Sequence, residues 1–226
     1  MKICAISDTH GLLPKIEPCD VLLIAGDISP LDIQHNLNEM DKWIYTSFCP
    51  WIRSLNCTYK ILVAGNHDYY LQNLTTSSKL VLEMECGGDL IYLNNTCTSI
   101  YTESKTLKIF GTPWCHEFGY WPFMIPDKVL VEKFKEIPEN LDILVSHDPP
   151  FNLTDADLNN YNGCKSHCGN IVLSNEIIIK RPKIVISGHI HSGFHSFEEY
   201  DRMKFVNVSQ VDNNYNNIYK PFYFEL

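Results

Sequence analysis

Residues 61–68 read ILVAGNHD. Four apolar residues run directly into a glycine and then into Asn66, His67 and Asp68, the pattern of a buried strand that ends in a ligand-binding loop. The same arrangement recurs four more times. KICAIS at 2–7 runs into Asp8, Thr9 and His10, and VLLIA at 21–25 into Gly26 and Asp27. ILV at 143–145 runs into Ser146 and His147, and IVIS at 184–187 into Gly188, His189, Ile190 and His191. The polar cluster always stands at the carboxyl end of the run. This predicts that Asp, His and Asn from five distant segments are delivered to one edge of a sheet.

The side chains at those tips define a chemistry. Carboxylate oxygen, imidazole nitrogen and amide oxygen suit divalent ions such as Mn, Fe or Zn. Asp8, His10, Asp27, Asn66, His147, His189 and His191 supply seven such groups. A single tetrahedral zinc takes three or four, so seven suit a pair of ions if one carboxylate bridges them. Two ions, two aspartates and one hydroxide would carry about +1 net charge, matched to a phosphate ester anion. Strict alternation would send His189 and His191 to opposite faces of a strand, but a turn opened by Gly188 lets both converge.

The rest of the chain fits a soluble enzyme of one domain, residues 1–226. The composition is 45% hydrophobic with 18 basic and 27 acidic residues, a formal charge of −9 that argues against an extended nucleic-acid groove. No long apolar stretch or signal pattern is present, so no membrane partner and a cytoplasmic location are expected. Nine cysteines, at 4, 19, 49, 57, 86, 97, 115, 164 and 168, read as free thiols. Periodicity predicts helices over 32–48, stopped by Pro50, over 129–135, and over 169–180, stopped by Pro182. Further strands are expected at 89–93, 107–110, 204–208 and 222–224.

The ordered set D-x-H, G-D, G-N-H-D, H and G-H-x-H resembles the calcineurin-like metallophosphoesterase superfamily, from Asp8 to His191. The resemblance implies an α/β fold, a four-layer sandwich of two mixed β-sheets flanked by helices. It implies one ion on Asp8, His10, Asp27 and His191, and the other on Asp27, Asn66, His147 and His189. A hydroxide bridging the ions would attack phosphorus, with His67 stabilising the transition state or protonating the leaving oxygen and Asp68 orienting its imidazole. Gly111–Trp114, the Phe118–Phe123 aromatic patch and SHDPP at 146–150 are similar to a small subgroup associated with cyclic-nucleotide hydrolysis. Asp148 stands where that pattern has glycine.

The three arginines, Arg53, Arg181 and Arg202, lie outside every metal motif. Arginine forks grip phosphate dianions, so their absence tilts the expected substrate from a monoester towards a small phosphodiester, and the resemblance implies a cyclic nucleotide. A protein or nucleotide phosphatase and a metal-free interaction scaffold are the alternatives. Trp114, Phe118, Tyr120, Trp121 and Phe123 are candidates to stack a base, with a packed loop or a dimer surface as the commoner role for such rings. Cys164, His167 and Cys168 have metal-like spacing and read as a segment beside the active site or a helix entry. His35, His116 and His195 read as ordinary histidines.

Overall fold

The computed structural model describes residues 1–101, 105–157, 166–191 and 195–226. In chain order the strands are β1 (Lys2–Ile6), β2 (Cys19–Ala25), β3 (Cys57–Val63), β4 (Leu90–Leu93), β5 (Thr96–Tyr101), β6 (Thr106–Thr112), β7 (Ile143–Ser146), β8 (Ala156–Asp157), β9 (Ser166–His167), β10 (Ile184–Ser187), β11 (Glu198–Tyr200), β12 (Met203–Asn207) and β13 (Phe222–Glu225). One mixed sheet runs β13-β1-β2-β3-β4 and the other β11-β12-β10-β7-β6-β5, with β8-β9 a separate hairpin. The five strands that end in candidate metal-binding residues divide three to two. β1, β2 and β3 lie parallel in the first sheet, and β7 and β10 lie parallel in the second. The sequence reading of one sheet edge is corrected here: two sheets supply the tips.

Alternation along the strands explains the layering. Ile3, Ala5, Leu23, Ile61 and Val63 of the first sheet meet Ile109, Ile143, Val145, Ile184 and Ile186 of the second in one buried cluster. The intervening residues Cys4, Ile6, Leu22, Ile24 and Leu62 face outward onto Met40, Ile44, Phe48 and Ile52. Phe110, Leu144, Val185 and Phe205 do the same against Leu130, Phe134, Leu173 and Ile177. Burial on both faces is why these strands read as unbroken apolar runs. The result is the expected four-layer α/β sandwich.

Six α-helices cover these faces among the described residues: α1 (Leu37–Trp43), α2 (Cys49–Ser54), α3 (Tyr69–Gln72), α4 (Thr76–Glu85), α5 (Asp127–Lys135) and α6 (Ile171–Lys180). The helix expected over 32–48 starts only at Leu37, where Asn36 accepts hydrogen bonds from the backbone of Asn38 and Glu39. Nor does Pro50 stop it. Between α1 and α2 the turn widens over Ile44–Phe48, with the Cys49 N–H donating to Ile44 O, so the proline falls in the first turn of α2. No helix among the described residues is long and apolar enough to cross a membrane.

Candidate metal centre

The strand tips are made by glycines and left-handed turns. Asp8, His10, Asp27 and His189 have φ of 52°, 42°, 54° and 66°, a region that costs L-residues strain. At Gly188 any Cβ would overlap Ser7 Oγ and Asp8 Oδ2, and at Gly65 it would overlap Asp27 Oδ1. Only glycine lets those loops approach so closely. The two sheets are tied together beneath the site, where Ser7 N donates to Val208 O at 3.0 Å and Gln210 N to Ser7 O at 2.9 Å.

Two clusters result. Asp8, His10 and His191 form one, and Asp27, His147 and His189 the other; within each, one ligand atom per residue lies within 4.8 Å of the others. Asn66 joins the second, its Oδ1 3.0 Å from His147 Nε2, which is also 3.3 Å from Asp27 Oδ2. All seven sequence-derived candidates therefore stand in one cleft, His189 and His191 having separated into different clusters. Both ring nitrogens of His10 are buried without a hydrogen-bond partner. A buried imidazole left unpartnered on both sides, beside carboxylates, fits a divalent cation.

Local hydrogen bonds aim the ligands. His147 Nδ1 donates to Ala25 O at 2.7 Å, which turns Nε2 towards Asp27 and Asn66. Asp8 accepts from the His189 N–H at 2.9 Å while its Oδ1 lies 3.2 Å from His191 Nε2. Burial holds His10 and His189 down at about 4, so both are neutral and ready to ligate at pH 7. Burial opposes charge on His147 too, but Asp27, by field and hydrogen bond, and Asp8 outweigh it and hold that ring up at about 10. His191 is raised in the same way, with Asp8 overcoming burial. Asp8 and Asp27 stay well below the usual carboxylate range: these imidazoles more than offset their burial.

His67 lies beside this cleft, its backbone N–H donating to Asp27 Oδ1 at 2.7 Å. The expectation that Asp68 orients its imidazole is overturned. His67 Nδ1 donates to Gln34 Oε1 at 2.8 Å, and Gln34 is itself fixed by donation from Nε2 to Leu31 O. Asp68 turns the other way. Its carboxylate accepts from the backbone N–H groups of Asp27, Ile28, Ser29 and Gly65 and from the Ser29 hydroxyl, stapling the β2 and β3 tips together. Burial and then the charge of Asp27 push its carboxyl up to about 7 against those donors.

A cavity of about 330 Å³ opens over the clusters, lined by Asp27, Asn66, His67, His189 and His191 together with Phe118, Trp121, Asp157, Cys168, Asn213 and Tyr215. Of the five candidate stacking rings only Phe118 and Trp121 reach it. Phe123 is buried and Trp114 packs between core clusters, while Tyr120 projects into solvent. Cys168 at the cavity wall fits a segment beside the site; His167 bonds Asp155 instead, and Cys164 lies outside the described residues. His116 is a satisfied histidine, one of the ordinary roles expected for it: its backbone and Nδ1 both donate to the buried Asp148, which also takes a bond from Asn170. Gln34, Asn213 and Tyr215 were not foreseen from the sequence.

Known proteins resemble this chain in sequence and in fold. Metallophosphoesterase domain-containing protein 1 of Homo sapiens is 27% identical over 248 residues, covering 100% of this chain and 71% of that protein. A probable rhamnogalacturonate lyase C of Emericella nidulans is 30% identical over 86% of this chain, which spans only 17% of that relative's length. The solved structure of TT1561 of Thermus thermophilus shares the fold with a TM-score of 0.59, at 14% identity over 93% of this chain and 89% of that one. The model of the calcineurin-like phosphoesterase family matches residues 1–193, and the chain belongs to that family.

Proposed function

We propose that this chain hydrolyses a small phosphodiester with the help of two divalent cations, and that a cyclic nucleotide is the best-suited substrate. The observation that carries the reading is the meeting of seven ligand side chains from two sheets in one cleft, with the orphaned imidazole of His10 among them. Asp8, His10, Asp27 and His191 would hold one ion, and Asp27, Asn66, His147 and His189 the other. Asp27, which stands in the second cluster with His147 and His189, would be shared between the two ions. Bound cations supply Lewis acidity at the phosphoryl oxygens and lower the pKa of water.

The protein's own groups do the rest. Nδ1 of His67 is committed to Gln34, so Nε2 is the atom free to exchange a proton with the departing oxygen. Asp68 holds the loops carrying Asp27 and His67 in register and acts on the chemistry only through them. Preference for a diester rests on charge: no Lys or Arg lines the cavity among the described residues, leaving nothing but cations to neutralise phosphate. Arg53 instead bonds Glu85 O, and Arg181 pairs with Asp201.

The test reconstitutes the protein with Mn²⁺ and compares kcat/KM on bis(p-nitrophenyl) phosphate, p-nitrophenyl phosphate and 2′,3′- and 3′,5′-cyclic nucleotides. The diesters should be preferred, and Asp27→Ala should lose both bound metal and turnover. A higher kcat/KM on the monoester makes the protein a phosphomonoesterase, and fewer than about half an ion per chain after loading favours a scaffold.

A further inference from the structure

The family match stops at residue 193, yet the following segment enters the cleft. After β12 the chain crosses the end of β1 through Ser7 and forms a tight turn organised by Asp212. Asp212 Oδ1 accepts from the N–H groups of Asn214 and Asn216, both at 2.9 Å, and its backbone carbonyl accepts from the Tyr215 N–H at 2.9 Å. The turn sets Tyr215 in a left-handed conformation, φ 60°. Its ring centroid stands 4.9 Å from that of His10 and 5.1 Å from that of His191, nearly perpendicular to both.

Among the described residues that ring makes its aromatic contacts edge-on, with His10, His191 and His67. It is 42% exposed, belongs to none of the buried clusters, and its hydroxyl has no hydrogen-bond partner among the described residues. A strained turn that holds an aromatic side chain over two candidate ligands, without core packing or a hydrogen bond in return, is arranged for something that enters the cavity. Phe118 and Trp121 line the same space, and the Trp121 ring lies 4.5 Å from that of His67. Aromatic walls with no Lys or Arg among the described lining residues suit a flat, uncharged ring system.

We infer that Tyr215 is a specificity-determining residue that contacts the nucleobase of a nucleotide ester while the phosphate lies at the metal centre. This rests on the phosphoesterase reading above and adds to it a selector from outside the matched region.

Two substrates with the same leaving group isolate the effect: p-nitrophenyl thymidine 5′-phosphate and methyl p-nitrophenyl phosphate. The ratio of their kcat/KM values should fall about tenfold in Tyr215→Ala, the loss expected when a stacking ring is removed, and be largely kept in Tyr215→Phe. An unchanged ratio, including one in which both values fall together, overturns the inference. If the wild type cleaves neither ester the phosphodiesterase reading fails separately, and binding decides. Mn²⁺-loaded wild type should bind AMP more tightly than ribose 5-phosphate, with the difference lost in Tyr215→Ala. Equal affinity of the wild type for the two, or affinity for neither, overturns it. Thermal melts confirm that the variants fold.

Discussion

Asp68→Asn separates two roles for a residue beside a candidate catalytic histidine. The Asp68 Oδ1 accepts three hydrogen bonds, from Ile28 N, Ser29 N and Ser29 Oγ, and its Oδ2 accepts two, from Asp27 N at 2.9 Å and Gly65 N at 2.8 Å. An asparagine that keeps its oxygen on the first set turns an amide NH₂ onto two N–H donors. The opposite orientation strands three. At about 1–3 kcal/mol for each buried donor left unsatisfied, the smaller loss is ~4 kcal/mol. With a urea slope of about 3 kcal/mol per molar, the unfolding midpoint should drop by ~1.3 M. The measurement is made with chelator at about pH 8, above the Asp68 value of about 7, so that the wild-type carboxylate is ionised; the neutral amide also removes a charge that burial and Asp27 disfavour, so the ~1.3 M drop is an upper bound. Metal affinity should fall as well, because the Asp27 loop loses its staple. A variant with an unchanged midpoint and full metal content, slowed only in turnover, would refute this account and restore Asp68 as a partner of His67.

Gln34→Ala should do what Asp68→Asn does not: leave metal content intact while turnover falls, because His67 Nδ1 loses its acceptor. His67→Ala should likewise retain metal, with kcat lowered by roughly 10²–10⁴; equal diester hydrolysis by this variant removes the proton-exchange role. His147, held at about 10, is protonated at neutral pH in metal-free protein, so a cation must displace that proton to reach Nε2. Apparent Mn²⁺ affinity should therefore tighten as pH rises towards 10, and calorimetry in buffers of different ionisation enthalpy should show proton release; a flat profile contradicts it. The same raised value stabilises the metal-free fold fully below the free imidazole's ~6.5, a contribution lost as pH climbs through about 10. Gly65→Ala should cost about 1–3 kcal/mol and deplete bound metal, since the new methyl meets the Asp27 carboxylate; near-native metal content would contradict the close approach.

The strands were legible because β1, β2, β3, β7 and β10 are buried on both faces and so are written as unbroken aliphatic runs. How the five divide between two sheets was not legible from the runs, because pairing is a tertiary choice; the family resemblance implied two sheets but not which runs each holds. Helix α4 escaped notice because Leu80, Val81 and Met84 are exposed and only Leu82 is buried, which scrambles the apolar period. Its start had a signal, the reciprocal cap of Thr75 and Ser78. The ligands could be read because each directly follows a strand. Gln34 could not, since it sits in a turn 33 residues from His67 with no motif of its own. The DNNYNN run at 212–217 did announce a turn, but only the fold shows that its tyrosine faces the centre.

The left-handed backbone at Asp8, His10, Asp27 and His189 means that the protein resembles a set spring, its catch formed by the groups proposed to grip cations. Glycine in place of any one of them would release that local tension where alanine would not, by about 1–2 kcal/mol, partly offset by the looser unfolded chain. An inactivated Asp27→Gly chain should then outlast its Asp27→Ala counterpart on heating without metal, so selection for durability alone would erode this centre.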